Sequence, residues 1–189
     1  MVSNACAAIV ICKNLGVEKE IIYNSLKTFK NAKRRFAIDN YKGVTIIDDY
    51  AHHPTEIKVT LEAVRQKYPD KRIVAIFKPN TYSRTQDFKF EFIDSIIINN
   101  EFIDALNTAD KAFVTEIDCN RERPEDYPGV SSNMIILGLN DGELISEETI
   151  NKLSNELNSV ICFMGCASVA GLVESLKKLI DEVVVEENE

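Results

Sequence analysis

The chain has no tryptophan, only two histidines and no excess of positive charge. A formal net charge of -8 at pH 7 repels polyanions, which argues against nonspecific binding to nucleic acid or to an anionic membrane surface. It does not exclude a nucleotide, because a few local donors outweigh the average field. No apolar run is long enough to span a bilayer. The five cysteines, at 6, 12, 119, 162 and 166, contain no C-x-x-C spacing, so a zinc or thioredoxin-type site has no support. Cys6, Cys12 and Cys162 sit in apolar runs, where a thiol is expected to act as a small hydrophobe. Unpaired thiols and the lack of a signal peptide lead us to expect a cytoplasmic protein. The histidines are adjacent, at 52 and 53, and neighbouring side chains diverge, so no metal ligand set is assigned. None of the seven glycines precedes a lysine, which rules out a G-x-x-x-x-G-K-[ST] phosphate loop.

What is present is an ordinary globular composition, with 45% hydrophobic and 28% charged residues in 189 positions. That length accommodates one generous domain, or a domain with a fragment attached. Asn4 to Leu15 reads as a buried helix ending at Gly16, an expected left-handed cap. A second helix carries Ile22, Leu26 and Phe29 on one face and stops before Lys33-Arg34-Arg35. Two helices cannot enclose a core, so residues 1–35 are expected to be the tail of another domain.

From residue 36 to 189 the texture alternates. Phe36–Asn40 and Val44–Asp49 read as strands joined at Lys42-Gly43. A helix follows from Pro54 to Lys67, then strands over Ile73–Phe77, Ala112–Ile117 and, more weakly patterned, Met134–Leu137. Ser146 is expected to cap a helix bearing Ile150, Leu153 and Leu157, with Glu147 and Glu148 in its first turn. Val160–Met164 is the last strand. The final helix has a strong apolar face from Val169 to Ile180, and Glu182–Glu189 is expected to fray. The motif Glu91-Phe92-Ile93-Asp94 recurs at Glu101-Phe102-Ile103-Asp104, and a ten-residue offset places both copies on one helix face. This pattern predicts an α/β fold, a mostly parallel sheet with helices on both faces. Ligands then belong beyond the carboxyl ends of the strands.

Two strand ends concentrate chemistry. Asp48-Asp49-Tyr50-Ala51-His52-His53-Pro54-Thr55-Glu56 offers carboxylates, a phenol and imidazoles, with proline suited to the first helical position. The bland alternative is that Asp48 or His53 merely caps the helix. The second segment, Lys78-Pro79-Asn80-Thr81-Tyr82-Ser83-Arg84-Thr85, turns polar at once after an apolar strand. Its Arg84 carries a fork matched to a carboxylate or phosphate.

Lys33-Arg34-Arg35-Phe36, the Asp48–Glu56 run, Pro79–Thr85 and Tyr127-Pro128-Gly129-Val130-Ser131-Ser132 together resemble the UDP-N-acetylmuramate–L-alanine ligases of the Mur ligase family. The resemblance covers nearly the whole chain, including Val2-Ser3-Asn4-Ala5-Cys6-Ala7-Ala8. The Asp48–Glu56 run is highly specific, whereas the other segments are weak alone. It implies a Rossmann-like C-terminal, amino-acid-binding domain over 36–189, preceded over 1–35 by the last helices of a central ATPase domain. It further implies ATP, Mg2+, L-alanine and UDP-N-acetylmuramate as the cofactors and substrates of the complete enzyme. By position, Asn4 would contact adenine, Arg35 would approach the nucleotide phosphates, and Asp49 with Tyr50 would hold the nucleotide. His52, Asn80 and Arg84 would face the amino acid, with Arg84 pairing to its carboxylate. No catalytic residue is assigned within this chain, and without a phosphate loop it is expected to be inactive alone.

Three departures from the family pattern stand out. Asn80 replaces a usual histidine, residues 89–100 look inserted, and Gly165-Cys166-Ala167 lacks a second glycine, which puts a close backbone approach in doubt. Two other functions fit parts of the pattern: a ligase that recycles a whole tripeptide, and a non-catalytic module that binds a nucleotide or a partner.

Overall fold

Alternation, turn chemistry and buried apolar runs become a six-stranded mixed sheet. A computed structural model of the protein describes residues 2–29, 33–87, 91–93, 96–119 and 122–186. It separates into two compact units, Met1–Lys33 and Arg34–Glu189. In the first unit, α1 (Val2–Asn14) and α2 (Lys19–Thr28) are joined through Gly16, whose φ of 78° fits the left-handed cap. The expectation of a buried first helix is not met. No described residue of α1 is buried, and Cys6 is exposed. A pair of helices has too little surface to enclose either partner.

The second unit begins with β1 (Ala37–Tyr41) and β2 (Val44–Asp49), an antiparallel hairpin. Its two-residue turn places Lys42 at φ 46° and Gly43 at φ 90°, the pair of positive angles that matches strand twist. Then come α3 (Pro54–Lys67), β3 (Ile73–Phe77), α4 (Tyr82–Asp87), β4 (Glu91–Ile93), β5 (Ile96–Asn99), α5 (Glu101–Leu106) and β6 (Lys111–Val114). The chain finishes through α6 (Asn133–Ile136), β7 (Gly142–Leu144), β8 (Val160–Met164) and α7 (Ala170–Glu186). The sheet order is β1-β2-β8-β3-β6-β7, and every pairing after the hairpin is parallel.

The central strands β3 and β8 are buried along their whole length, as expected for strands covered on both faces. On one face Ile47, Phe77, Val114 and Met164 pack with Ile57, Leu61 and Val64 of α3 and with Phe102 and Leu106 of α5. On the other, Ile46, Ile76, Phe113 and Phe163 meet Leu172, Leu176 and Ile180 of α7. Cys162 is fully buried, and burial pushes its thiol pKa up.

Four further expectations need correction. Met134–Leu137 is not a strand; Asn133–Ile136 is a short helix with Ile135 buried. A four-residue apolar run cannot separate the two periods. The third element of the expected pattern lies at Gly142–Leu144 instead. Ser146 does not cap a following α-helix: its N–H donates to Thr149 Oγ1 at 2.9 Å, and Ile150–Glu156 is a 3-10 helix. Leu153 and Glu156 are the buried residues there, and an i, i+3 pair suits three residues per turn.

The repeated Glu-Phe-Ile-Asp does not share a helix. Its first copy lies in β4 (Asp94 is outside the described residues), and its second opens α5. Asn100 explains the divergence, since its side chain accepts from the N–H groups of Phe102 at 2.7 Å and Ile103 at 3.3 Å. Phe90, before the first copy, has no such acceptor. Finally, α7 continues through the acidic stretch to Glu186, and residues 187–189 lie outside the described residues.

Candidate functional site

Because β8 lies between β2 and β3, the loops after these three strands part company. The chain leaves β2 and β3 toward the face covered by α3, whereas it leaves β8 toward α7 on the opposite face. Such a parting opens a crevice at the carboxyl edge, where ligands of open α/β sheets bind. A polar recess of about 370 Å³ lies there, lined by Tyr50, Asn80, Asp118, Cys166, Ala167 and Ser168.

The turn after β2 is organised by Asp49, which is 8% exposed. Its Oδ1 accepts from the Ala51 N–H at 2.8 Å and from the Thr60 hydroxyl at 3.3 Å, while Oδ2 accepts from the Phe36 N–H at 2.7 Å. These bonds tie the entry of β1 and the body of α3 to the end of β2. Asp49 therefore holds the turn in shape.

Asp48 is engaged by Arg34, whose Nε donates to its two oxygens at 3.1 and 3.2 Å. The same guanidinium donates to the carbonyl of Gly165 at 2.7 Å and to that of Cys166 at 3.3 Å. Arg34 thus links the ends of β2 and β8. Arg34 and Phe36 both take left-handed backbone angles, φ 57° and 53°. Each costs about 1–2 kcal/mol for a residue with a side chain, and the bonds of Arg34 and of the Phe36 N–H offset that strain. Between them, Arg35 lies over the Tyr50 ring at 5.0 Å, and Tyr50 meets His52 edge-on at 5.3 Å. The structure therefore gathers Arg35, Tyr50 and His52 into one row.

His53 caps α3, accepting from the Thr55 N–H at 3.2 Å, and Glu56 completes the capping box through the N–H groups of His52 and His53 at 3.1 and 3.4 Å. Of the two residues offered as the bland cap, His53 fills that role. Partial burial raises the Glu56 pKa, but these bonds and nearby Arg35 outweigh it and hold the carboxyl below its usual range. His52 Nδ1 lies 3.0 Å from the Tyr50 carbonyl. A proton on Nδ1 satisfies that contact and leaves Nε2 as an acceptor.

After β3, the backbone runs close beneath the loop that follows β8. Gly165 has φ 151°, and a Cβ there would lie 2.8 Å from the Lys78 carbonyl oxygen. The close approach thus falls on Gly165 itself, and the neighbouring Cys166 and Ala167 do not prevent it. Lys78 Nζ donates to the Ser168 carbonyl at 3.1 Å and lies 3.4 Å from Asp118. Thr81 adopts φ 71°, an unusual angle for a β-branched residue. Beyond it, α4 carries Arg84, which is half-buried. Among the described residues its guanidinium makes no hydrogen bond or ion pair.

Tyr50 and Asn80 thus share one recess with residues the sequence did not single out: Asp118 and Ser168. Nothing in their local pattern marks those two, and Thr81 reads as an ordinary loop threonine. Arg34 did lie in a visible basic cluster, but its partners are distant in sequence. Asn4 is an exposed residue of α1, in the other unit. Among the described residues no helix is long and apolar enough to cross a membrane.

Known proteins resemble this chain in sequence and fold. The chain is 36% identical over 178 residues to a UDP-N-acetylmuramate–L-alanine ligase of Lactobacillus helveticus, covering 94% of this chain and 38% of that one. A UDP-N-acetylmuramate–alanine ligase from Thermotoga maritima superimposes with a TM-score of 0.66 at 23% identity, over 98% of this chain and 38% of that one. A MurF ligase from the same organism, solved in complex with ADP, gives a TM-score of 0.62 at 18% identity, over 95% and 38%. At these identities the two structures share the fold, and the chain spans well under half the length of the relatives it matches. Residues 34–165 match the family model described as the Mur ligase, glutamate ligase domain, and with that match the chain belongs to the Mur ligase family.

Proposed function

We propose that this chain is the C-terminal part of an ATP-dependent, ADP-forming ligase that joins L-alanine to UDP-N-acetylmuramate. The observation that carries the proposal is Arg84, a half-buried guanidinium on the helix that follows β3, with no hydrogen bond or ion pair among the described residues. A planar fork of this kind, left unpaired, suits a carboxylate that arrives with the substrate. The 36% identity to an L-alanine ligase supports that choice of amino acid.

A carboxylate is a poor electrophile until one oxygen becomes a phosphate leaving group. In the proposed reaction the UDP-N-acetylmuramate carboxylate takes the terminal phosphoryl group of ATP, releasing ADP. The alanine amine then attacks the carbonyl carbon. The C–N bond forms, the C–O bond breaks with its electron pair leaving on inorganic phosphate, and the proton lost by the amine passes to the departing phosphate. The role of this chain is to hold the amine in place and keep water from the acyl phosphate. Arg84 would bind the alanine carboxylate, while Asn80 and the Nε2 of His52 would offer acceptors to the amino group.

Toward the nucleotide, the chain offers a rim. Arg35 and Tyr50 would meet the phosphates, with Asp49 holding Tyr50 in place. Asn4 would contact adenine. No phosphate loop is present in the sequence, and among the described residues no group of three His, Cys, Asp or Glu could hold a metal ion. Magnesium, which neutralises phosphate charge in such transfers, is therefore assigned no ligand here.

Residues 1–35 would be the last helices of the central ATPase domain, and 36–189 the amino-acid-binding domain. The absence of any buried residue in α2 and the exposure of Val10, Ile11, Leu15 and Ile21 support a helix pair that completes a larger core. Five free cysteines suit a cytoplasmic setting.

Steady-state kinetics of Arg84→Ala in the full-length ligase test the proposal. Loss of a charge-assisted pair worth about 2–3 kcal/mol should raise the KM for L-alanine by roughly 30- to 160-fold. Unchanged KM and kcat would overturn the role of Arg84. Use of the tripeptide in place of alanine by the unmodified enzyme would overturn the substrate.

A further inference from the structure

Arg84 is well placed only if α4 is, and α4 is held from a distance. The loop after β6 runs alongside the loop after β3 as a backbone extension of the sheet. The Asp118 N–H donates to the Pro79 carbonyl at 3.0 Å, and the Thr81 N–H donates back to the Asp118 carbonyl at 3.0 Å. Glu122 then meets the first turn of α4. Its Oε2 accepts from the Tyr82 N–H at 2.5 Å and from the Ser83 N–H at 3.1 Å, and the Ser83 hydroxyl donates to Oε1.

Tyr127, from the Tyr127-Pro128-Gly129 turn, stacks on Tyr82 with ring centroids 6.0 Å apart and an interplanar angle of 18°. Partial burial works against the charge of Glu122, but hydrogen bonds from Ser83, Tyr82 and Tyr127 outweigh it and hold its pKa below the usual range. A six-residue helix is too short to hold itself in water. Its start at Thr81 is left-handed and strained, so outside contacts must fix its orientation.

We infer that Glu122 is a positioning residue for substrate binding: its carboxylate clamps the start of α4 and so aims Arg84 at the carboxylate of the amino-acid substrate. The inference rests on the role proposed above for Arg84. It assigns to the loop after β6 a part in amine-substrate affinity, although Glu122 touches no reacting atom.

The test is a double-mutant cycle in the full-length ligase, reading KM for L-alanine, kcat, KM for ATP and melting temperature. Glu122→Gln keeps size but presents an amide N–H₂ to backbone donors. It should raise the alanine KM about 10-fold, with kcat and the ATP KM within about 2-fold of the parent. Glu122→Asp, which keeps the carboxylate, should recover part of the affinity. In an Arg84→Ala background, Glu122→Gln should have no further effect on the alanine KM, yet lower the melting temperature as it does in the parent.

A KM effect of Glu122→Gln that persists undiminished without Arg84 would overturn the inference. So would an equal loss for the alanine and ATP KM values, which marks general damage. If Glu122→Gln leaves the alanine KM unchanged while Arg84→Ala raises it, the clamp is wrong and the Arg84 reading stands. If Arg84→Ala itself has no effect, the parent reading fails. Amide exchange at Tyr82 and Ser83 in the 189-residue chain gives an assay-independent check. Glu122→Gln should speed exchange at both sites about 10-fold or more, and unchanged exchange would overturn the clamp.

Discussion

The turn after β2 and the loop after β3 both present polar residues at the carboxyl edge of the same sheet, but they are built differently. In the first, Asp49 bonds Ala51 two residues on, and His53 with Glu56 caps the helix those residues begin. In the second, the start of α4 depends on Glu122, 40 residues beyond Tyr82 in the chain, and its backbone passes against Gly165. The helix start of the first segment is capped by its own residues; that of the second is held by a distant one. The first should fail through loss of stability, whereas the second should fail through loss of affinity while the domain stays folded.

The largest expected effect lies in the first segment. Asp49→Ala leaves the Phe36 and Ala51 N–H groups without their acceptor, at a cost of about 3 kcal/mol, measurable by urea unfolding of the chain. A loss under about 1 kcal/mol would mean the turn does not depend on that carboxylate. Gly165→Ala comes next, at about 2 kcal/mol, because its φ of 151° and the nearby Lys78 carbonyl both oppose a Cβ. Unchanged stability there would show that the two loops do not press together.

His53→Ala removes one cap acceptor and should cost about 1 kcal/mol, with the helix otherwise intact by circular dichroism. Arg84→Ala should change stability by no more than about 0.5 kcal/mol, since among the described residues its guanidinium supports no other group. A larger loss would contradict the reading of an unpaired, waiting guanidinium.

The smallest effect is on pH. Glu56 and Glu122 are both held below the usual carboxylate range. Their contribution is present above the unfolded pKa, about 4.3, and is lost as pH falls through their lower folded values. Acid unfolding curves of Glu56→Gln and Glu122→Gln should each be shallower below pH 4 than that of the parent. A steeper curve would reverse the assigned direction.

The contrast also explains what could be read in advance. The hairpin at Lys42-Gly43, the helix from Pro54 to Lys67 and the buried strands at 73–77 and 160–164 are specified by residues within one turn or one strand. Their patterns survive folding unchanged. Met134–Leu137 and the stretch after Ser146 misled because short apolar runs take whichever period their neighbours permit. The repeat shows the same limit: Glu-Phe-Ile forms a strand at 91–93 and opens a helix at 101–103, where Asn100 supplies a cap.

By itself the sequence determined the α/β class, the likeness to the Mur ligases, the absence of a phosphate loop and the two segments that carry the candidate site. All of these depend on neighbours in the chain, because capping, turn formation and alternation act over a few residues. Only the tertiary structure decided that β8 enters between β2 and β3, that Arg34 bridges two strand ends while Arg35 lies over Tyr50, and that Glu122 holds the helix of Arg84. Those contacts join residues far apart in sequence. They form only when the sheet has brought the strand ends together, and no local pattern encodes which distant carboxylate will meet which amide.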